Sequence, residues 1–492
     1  MRKTLRSLTF SVLITTLLVA HILLLINNGF GQIIIRAAAS QQKMFQLLAK
    51  IEKTPADFDY IQKSIAVSRY QTKSLSLFFK KFPSVPVLDP ATRFADSLAG
   101  IASQVPELLG SKGESHFVLL FLNNYELRPG GGFIGSVGFI TLKNYTLTKF
   151  EVQDVYEIDG QITRHYQPHI AVEKYLNQPN EYLRDSNFSP NFTDNVEKAL
   201  NYLAMVPPYN KRYVGAIGMT TSAFEDLLRI TGPIELSDFQ TTISDNNFFT
   251  TTQERIETAF FPGSKQKRSL LTALGNAVRQ KIEDVPPLDL LWYVQRSITT
   301  KKLVLFSRDP KLQQILSNAQ ATGEQQPRYP NWILPVDANV GVNKLNRVVR
   351  KTMGLEIVQT PRSTIQTIRS AYFNPPTQKG KRPEIFKNYF QLYVPSQSKL
   401  MNVWLNGREA SHELTTTYAA NQSIYGLYFE TPPSSNTTVS IEYELPHTTS
   451  SDTIEIKKQI GSEPSFVSIA YSNGKTKVLK RRLVSDEAIT LR

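Results

Sequence analysis

The longest apolar run of the chain lies near its start. Residues 8–26 read LTFSVLITTLLVAHILLLI, without any Lys, Arg, Asp or Glu. A helix rises about 1.5 Å per residue, so a run of this length crosses a hydrocarbon core of about 30 Å. Basic residues at 2, 3 and 6 precede the run and favour a cytoplasmic N-terminus. The pattern predicts a cytoplasmic segment over 1–7, a transmembrane helix over 8–28, and an otherwise extracytoplasmic chain held by one pass through the cytoplasmic membrane.

A cleaved signal peptide is the alternative interpretation of this run, since Ala37, Ala38 and Ala39 resemble a small-residue cleavage site. The apolar region of a signal peptide usually has about 7–15 residues, and this run is longer. The alanines also lie well beyond the run, after an Ile-Ile-Ile-Arg sequence. A retained anchor is therefore the prediction.

Residues 29–112 have the spacing of amphipathic helices. Apolar residues recur three and four positions apart between Met44 and Ile51, and again between Phe94 and Leu108. Several prolines interrupt this stretch, so it contains more than one helix. We expect a helical membrane-proximal region without chemistry of its own.

Strand-like and helical segments alternate over 113–344. The continuous apolar run HFVLLFLNN is typical of a strand buried on both faces. Further strand candidates are SVGFITLKN, LTKFEVQDVY and YVGAIGM, and helical spacing covers 193–205, 221–230 and 265–282. This alternation predicts a layered α/β or α+β domain over 113–344.

The last part of the chain, 345–492, has a different texture. Short alternating segments such as KNYFQLYVP, YGLYFETP, TTVSIEYELP and SFVSIAYSNG are bounded by Pro, Gly, Asn and Ser. Regularly spaced strands of this kind are typical of a β-sandwich. We expect an all-β, sandwich-like module here.

Composition restricts the chemistry more than it defines it. The chain has no cysteine, which excludes disulfides, thiolate metal sites and cysteine nucleophiles, and its 6 histidines are not spaced as zinc ligands. The net charge of +14 favours polyanionic partners. With the bulk of the chain outside the cytoplasm, we expect membrane lipid at the anchor and an anionic envelope polymer or lipid-linked glycan, and no nucleic acid.

A glycine motif follows the first predicted strand. Gly130, Gly132 and Gly135 match G-x-G-x-x-G, with Asp154 some way downstream. A dinucleotide site needs this motif to open a helix, whereas GFIGSVGFITL continues as strand-like sequence. We therefore expect a glycine-lined hairpin in which backbones approach closely.

Polar residues that follow the predicted strands form the candidate site. Asn123 and Arg128 follow the first strand, and Asp154 and Asp159 lie at and after the end of a later one. Further candidates are Arg184 and Asp185 in YLRDSNF, and Arg268 on the basic helix. Arginine binds phosphate through a two-pronged set of donors, and neighbouring carboxylates suit Mg²⁺. Structural ion pairs are the alternative interpretation of the same residues.

Four segments of the chain read FLNNYELRPGGGFIGSVGFITL, EVQDVYEIDGQI, YLRDSNFSPNF and YVGAIGMTTSAFEDLLRITGPIEL. Together they resemble the domain-of-unknown-function 4012 family of bacterial envelope proteins. The resemblance runs from about 115 to 465 and includes DANVGVNKLNRVV and EIKKQIGSEP. The family itself implies no activity.

A second resemblance, over about 115–285, is to the LytR–CpsA–Psr phosphotransferases, through the Arg-Asp dipeptide, a later apolar segment and the basic helix. These enzymes transfer glycopolymers from polyprenyl-pyrophosphate carriers to the cell wall. The resemblance implies that Arg184 and Asp185 are catalytic, that Arg268 binds pyrophosphate, and that Mg²⁺ lies near an acidic residue. Arg128 and Asn123 are added to the predicted pyrophosphate site because they follow the first predicted strand. Asp154 and Asp159 are added as predicted metal ligands because they lie at and after the end of a later strand.

Two functions are therefore expected for the ectodomain. The first is a Mg²⁺-assisted transfer of glycopolymer from a polyprenyl-pyrophosphate carrier to the wall. The alternative is a non-catalytic surface protein that binds envelope polymers or mediates adhesion.

Overall fold

The computed structural model describes residues 106–252, 265–380, 382–419, 421–446, 452–473 and 476–491, together with 54, 56–64, 66, 67 and 70. The predicted transmembrane helix over 8–28 and most of the region 29–112 lie outside these residues. Within the described part of the chain, no helix combines the length and the apolar character needed to cross a membrane.

The chain divides into two compact units. The first takes in the described residues up to 115, with 142–148 and 279–287. Within it, residues 56–64 are helical, as predicted for this region. A helical turn at 106–108 is followed by Leu109 and Gly110, whose carbonyls accept backbone hydrogen bonds from Tyr145 and Asn144 at 2.8 and 2.9 Å.

The second unit takes in 116–141, 149–278 and 288–492, and its first half is a mixed α/β domain, as predicted. The strands are β1 (Glu114–Asn123), β2 (Phe133–Lys143), β3 (Thr146–Asp154), β4 (Tyr213–Thr220), β5 (Ile234–Leu236), β6 (Thr241–Ile243) and β7 (Leu303–Ser307). The helices are α1 (Val155–Asp159), α2 (Ile170–Tyr175), α3 (Phe192–Ala204), α4 (Thr221–Thr231), α5 (Lys265–Ile282), α6 (Pro287–Thr299) and α7 (Pro310–Asn318).

Five of these strands form one mixed sheet in the order β3-β2-β1-β4-β7. Strand β4 pairs parallel with β1 and antiparallel with β7. Helix α3 covers this sheet: Asn191 caps its first turn, and Phe192, Val196 and Leu203 are fully buried. A Cβ at Gly218 of β4 would lie 2.6 Å from the Phe192 ring, so this glycine makes room for the helix.

The second half of this unit consists of two β-sheets. Its strands are β8 (Trp332–Asn339), β9 (Arg350–Gln359), β10 (Ser363–Asn374), β11 (Phe386–Pro395), β12 (Lys399–Leu405), β13 (Arg408–Glu409), β14 (Thr415–Ala419), β15 (Gln422–Thr431), β16 (Ser435–Pro446), β17 (Thr453–Ile456), β18 (Ser465–Ser472), β19 (Thr476–Leu483) and β20 (Glu487–Thr490). The seven-stranded sheet has the order β13-β12-β16-β10-β9-β18-β19, and the six-stranded sheet β14-β15-β11-β8-β17-β20.

Alternate residues of the two sheets share one hydrophobic core. Phe390, Leu392 and Leu427 of the six-stranded sheet pack in the same cluster as Ile368 and Ile441 of the seven-stranded sheet. The predicted boundary at 345 is too late, because β8 already pairs antiparallel with β11 over 334–339. We call residues 332–491 the two-sheet module.

A connector of residues 457–463, between β17 and β18, joins the two-sheet module to the α/β domain. Ile460 belongs to the hydrophobic core of the α/β domain. Gln459 donates to the carbonyls of Arg128 and Asp337 at 3.1 and 2.7 Å and accepts from the Asp337 N–H at 2.8 Å. The two halves therefore share core and hydrogen bonds, where the sequence predicted separate domains.

Two lysine side chains are buried where the connector meets the α/β domain: Lys458 of the connector and Lys301, which follows α6. The Lys458 ammonium donates to the carbonyls of Thr300, Gln459 and Ser462 at 3.0, 3.3 and 2.6 Å. Burial lowers the pKa of Lys458 to about 7. Lys301 is neutralised by Asp486 at 2.7 Å. These contacts hold the connector against the end of α6.

The glycine motif forms the close backbone approach that the sequence predicted, and β2 follows it where a dinucleotide site would have a helix. Gly131 and Gly132 have φ of +114° and +144°. A Cβ at Gly461 of the connector would lie 2.2 Å from the Gly131 carbonyl oxygen, so the two glycine backbones cross at this point.

We expect Gly132→Val to lower the free energy of unfolding by more than the about 1–3 kcal/mol that an unfavourable φ alone costs. A Cβ at this position would lie 2.4 Å from the Asn123 carbonyl carbon and 2.5 Å from the Asn124 nitrogen, and neither can move independently of the backbone. Gly113→Val is the matched control. Gly113 has a similar φ of +150°, but no atom lies within 4 Å of the position that a Cβ would occupy. Equal losses for the two variants in urea denaturation would refute the crowding at Gly132.

Candidate functional site

Arg184 lies in a 3₁₀ turn, Leu183–Asp185, and is held by carboxylates and rings. Its Nη1 donates to Asp159 Oδ2 at 2.8 Å, and its Nε lies 3.8 Å from Asp185 Oδ2. The guanidinium carbon lies 4.1 Å from the centre of the Tyr182 ring and 5.2 Å from that of Tyr156. Its side chain is only 14% exposed, so Arg184 is mostly covered by its protein partners.

Arg128 follows β1 and is buried beside the same group. Its Nη2 donates to Glu126 Oε1 at 3.0 Å, and its guanidinium carbon lies 5.8 Å from the centre of the Phe133 ring. Burial raises the pKa of Asp185, and the nearby positive charges of Arg184 and Arg128 oppose this shift by lowering it. The structure therefore brings together Arg128, Arg184, Asp159 and Asp185 in one buried charged cluster.

The two predicted metal ligands have protein partners. Asp154 caps α1, with its Oδ1 accepting from the Tyr156 N–H at 2.9 Å. Asp159 accepts from the Leu183 N–H at 2.9 Å through Oδ1 and from Arg184 through Oδ2. Over the described residues, no group of three or more acidic or histidine side chains could hold a metal ion. This donor set does not fit Mg²⁺, which prefers several free oxygen ligands.

The remaining predicted site residues are placed differently. The Asn123 side chain accepts from the Tyr125 N–H at 3.2 Å and so stabilises the turn after β1. Arg268 lies on α5, outside the residues whose side chains the structure describes.

Burial decides the electrostatics of the charged cluster. It raises the pKa of Asp159 to about 6, although Arg184 opposes this shift. It also raises the pKa of Glu126 and Asp185. The carboxylates of Glu126, Asp159 and Asp185 outnumber the two guanidinium groups, so the arginines are already neutralised in place. The geometry is that of a structural ion-pair network.

One observation leaves this cluster open to a further polar partner. Arg128 Nη1 and Asp185 Oδ2 are both buried, and neither has a hydrogen-bond partner among the described residues. A buried donor without a partner is costly, so a small polar group between such atoms would be stabilised.

A larger cavity, of about 1010 Å³, opens between the α/β domain and the outer face of the six-stranded sheet. We call it the aromatic cleft. The rings that line it belong to His169, Phe188, Trp332, Tyr389 and Tyr393.

The alternation of β11 produces the sheet wall of the aromatic cleft. Phe390, Leu392 and Val394 face the core of the two-sheet module. Tyr389, Gln391 and Tyr393, on the opposite face, line the cleft. Gly426 of β15 stands opposite Gln391, and a Cβ there would lie 2.1 Å from the Tyr389 hydroxyl. The glycine thus lets the tyrosine lie across the sheet, where its hydroxyl hydrogen-bonds to Thr415 at 2.6 Å.

Hydrogen-bonding groups stand between these rings. Gln391 is buried, and its Oε1 has no hydrogen-bond partner among the described residues. The His169 Nδ1 accepts from the Ala171 N–H at 3.1 Å, which places the proton of the neutral ring on Nε2. Burial lowers the pKa of His169 to about 4, so the ring is neutral at pH 7. Asp194 and Glu324 also line the cleft, and none of its described lining residues is Lys or Arg.

The aromatic cleft was not predicted from the sequence. A signal was present in KNYFQLYVP, where Tyr389, Gln391 and Tyr393 give one strand face a mixture of rings and an amide. The facing residues His169 and Phe188 come from distant segments, so only the fold brings them to this strand.

Comparison with known proteins gives one family. Residues 112–256 match the family model described as "Protein of unknown function (DUF4012)". No curated protein matches the chain.

Among solved structures, the M1 zinc metallopeptidase from Deinococcus radiodurans matches 27% of this chain and 38% of its own, with 6% identity and a TM-score of 0.17. A mutant from the same organism bound to a Tyr-ser-ala substrate gives 8% identity over 27% and 39%, also with a TM-score of 0.17. This chain thus spans well under half of those structures, and similarities of this size identify neither its fold nor its function.

The family match begins just before β1 and ends beyond β6, and it takes in the glycine motif and the charged cluster. It confirms the resemblance seen in the sequence over that stretch. Over residues 112–256, this chain is therefore similar to the DUF4012 family.

Proposed function

We propose that this protein is a non-catalytic component of the cell envelope that binds a glycan in the aromatic cleft. The apolar run at 8–28 would anchor it in the cytoplasmic membrane with the bulk of the chain outside. The observation that carries the proposal is the cleft itself, which combines five rings with the unpartnered acceptor of Gln391.

The chemistry of the lining residues favours uncharged sugars. A sugar ring has an apolar face that can pack on an aromatic side chain, and hydroxyls that both donate and accept. Gln391 offers an acceptor without a partner, and His169 carries its proton on Nε2. Asp194 and Glu324 would oppose a phosphate or carboxylate ligand. The net charge of +14 acts at longer range and would favour attachment to anionic envelope polymers.

Glycopolymer transfer from a polyprenyl-pyrophosphate carrier is the second candidate. It rests on the unpartnered Arg128 Nη1 beside Asp185 in the charged cluster. A pyrophosphate there would have to displace carboxylates that already bind the arginines, which makes this the weaker proposal. This transfer would proceed without Mg²⁺ at Asp154 and Asp159, because both carboxylates already have protein partners.

Binding of a hexasaccharide of N-acetylglucosamine to the full-length protein in detergent, measured by calorimetry, tests the first proposal. We expect Thr417→Trp to weaken binding more than tenfold, because Thr417 lines the cleft and an indole there would occupy it. Gln391→Met should weaken it about 2–10-fold, the effect of losing one hydrogen bond of about 0.5–1.5 kcal/mol.

Tyr418→Trp is the matched control, since Tyr418 is the next residue of β14, is 71% exposed and does not line the cleft. Unchanged affinity in Thr417→Trp, or no binding of the hexasaccharide by the wild type, would refute an aromatic cleft that takes uncharged sugars. Binding of a polyprenyl pyrophosphate that is lost in Arg184→Lys, while Thr417→Trp leaves it unchanged, would favour the transferase.

A further inference from the structure

The core of the two-sheet module contains a buried carboxylate with several donors. Asp337 Oδ2 accepts from the Lys351 ammonium at 2.6 Å. Its Oδ1 accepts from the Asn388 amide nitrogen at 2.9 Å and from the Tyr372 hydroxyl at 2.6 Å. One carboxylate therefore bridges an amine and a carboxamide.

The residues of this group come from both sheets. Asp337 is on β8 and Asn388 on β11, neighbouring strands of the six-stranded sheet. Lys351 on β9 stands directly opposite Tyr372 on β10 in the seven-stranded sheet. The lysine side chain thus crosses from one sheet to reach groups on the other.

The surroundings of the amine and the amide are unlike those of a surface ion pair. The Lys351 Nζ lies 5.3 Å from the centres of both the Tyr372 and Phe390 rings. Asn388 is fully buried, and its carbonyl oxygen Oδ1 has no hydrogen-bond partner among the described residues. A buried carboxamide whose oxygen has no hydrogen-bond partner lowers the stability of the fold. Such an arrangement is costly if the only role of the carboxamide is to hydrogen-bond to the carboxylate.

We propose that Lys351 and Asn388 form a covalent amide bond that crosslinks the two sheets, with Asp337 as the residue that transfers the protons. This inference is independent of the proposed glycan binding. The chain has no cysteine, so a disulfide cannot serve this purpose.

The reaction balances without any oxidant or cofactor. Asp337 Oδ2 takes a proton from the Lys351 ammonium, and the neutral amine attacks Asn388 Cγ. Asp337 then gives the proton to the departing amide nitrogen, to which its Oδ1 is already hydrogen-bonded, and this nitrogen leaves as ammonia. The C–N bond of the carboxamide breaks, and the new C–N bond joins Lys351 Nζ to Asn388 Cγ. Nζ then gives its second proton to Asp337, so that Nζ becomes an amide N–H and Asp337 ends as the uncharged acid. Burial holds the reactants together, which favours such a step.

Asn388 is the acyl donor in this scheme because Asp337 is needed elsewhere. Direct condensation of Lys351 with Asp337 would lose water, and it would need a second acid to protonate the departing oxygen. Among the described residues, the Asp337 carboxylate hydrogen-bonds to Lys351, Asn388 and Tyr372, and none of these is a carboxylic acid.

The mass of the intact full-length protein, measured under denaturing conditions, tests the proposal. We expect the wild type to be lighter than its sequence by one molecule of ammonia, and a protease digest to contain one branched peptide that joins the segments around Lys351 and Asn388. Lys351→Arg keeps the positive charge but lacks an amine that can attack, and Asp337→Ala keeps both reactants but lacks the proton carrier. Both variants should have their full sequence masses.

The mass of the wild type decides by itself whether the crosslink forms. This part of the test therefore does not depend on how well the variants fold. A wild type of full sequence mass, with the two peptides recovered separately, would overturn the crosslink and leave a structural ion pair. A loss of water in place of ammonia would place the bond on Asp337 and overturn the assignment to Asn388. An unchanged loss of ammonia in Asp337→Ala would overturn the role of the carboxylate.

Discussion

Arg184→Ala is expected to lower the free energy of unfolding at pH 7 by about 3–5 kcal/mol, the cost of removing one partner from a buried ion pair. The substitution leaves the Asp159 and Asp185 carboxylates, which are 3% and 4% exposed, without their nearest positive charge. Urea denaturation followed by circular dichroism measures the loss. If the residue served pyrophosphate binding alone, the variant would keep its stability and lose only the ligand.

Arg229→Ala provides the matched control for this experiment. Arg229 also pairs with two aspartates, Asp226 at 2.6 Å and Asp245 at 3.2 Å, but its side chain is 60% exposed. Exposed pairs contribute about 0–1 kcal/mol, so this variant should be nearly as stable as the wild type. Similar losses for the two variants would contradict the distinction between buried and exposed pairs.

The effect of Arg184→Ala should also depend on pH in a defined direction. Burial raises the pKa of Asp159 to about 6, above the ordinary value of 3.8, so the folded protein holds this proton more tightly than the unfolded chain. A neutral Asp159 needs no counter-ion. The destabilisation should therefore shrink as the pH falls through about 6, and a loss that grows toward acid pH would contradict this assignment.

Gln459→Leu is expected to cost about 2–4 kcal/mol, since it removes three hydrogen bonds and leaves their partners buried. These partners are the carbonyls of Arg128 and Asp337 and the Asp337 N–H. Leucine is close to glutamine in size, so packing changes little. Because the bonds join the α/β domain to the two-sheet module, we expect the two to unfold less cooperatively in the variant.

Gln314→Leu is the control for Gln459→Leu. The Gln314 side chain donates to Asn318 Oδ1 at 3.0 Å on the exposed surface of α7. Such substitutions usually change stability by no more than about 0.5 kcal/mol. A loss for Gln459→Leu no larger than this would mean that the connector does not couple the two halves.

Local patterns in the sequence predicted much of the α/β domain. Apolar spacing located α3 within one residue, since the structure has Phe192–Ala204 where 193–205 was predicted. The strand after the glycine motif was also predicted correctly, because Phe, Ile and Val alternate there with small residues.

Other elements were missed for physical reasons. Strand β8 is buried at every position, so it has no alternation, and Pro335 is unusual inside a strand. The connector was not predicted either, and it begins where β17 ends, at Ile456. Lys457 and Lys458 are each 2% exposed, and lysine is almost never buried unless it is paired.

For the candidate site, the sequence proposed Arg128, Asp159, Arg184 and Asp185 as binding, metal-ligating or catalytic residues, but it could not show that these arginines and carboxylates form ion pairs. That outcome depends on burial and on side-chain direction. Neither is visible in the order of residues.

The position of the connector has a consequence for how the protein is made. The first strand of the α/β domain begins at Glu114, yet Ile460 completes the core of that domain and the Gly461 carbonyl accepts from Asn124, 337 residues earlier in the chain. A ribosome must therefore synthesise almost the whole two-sheet module before the first domain can close. Until then, the pocket that receives Ile460 stays open on the growing chain, exposed to chaperones and proteases.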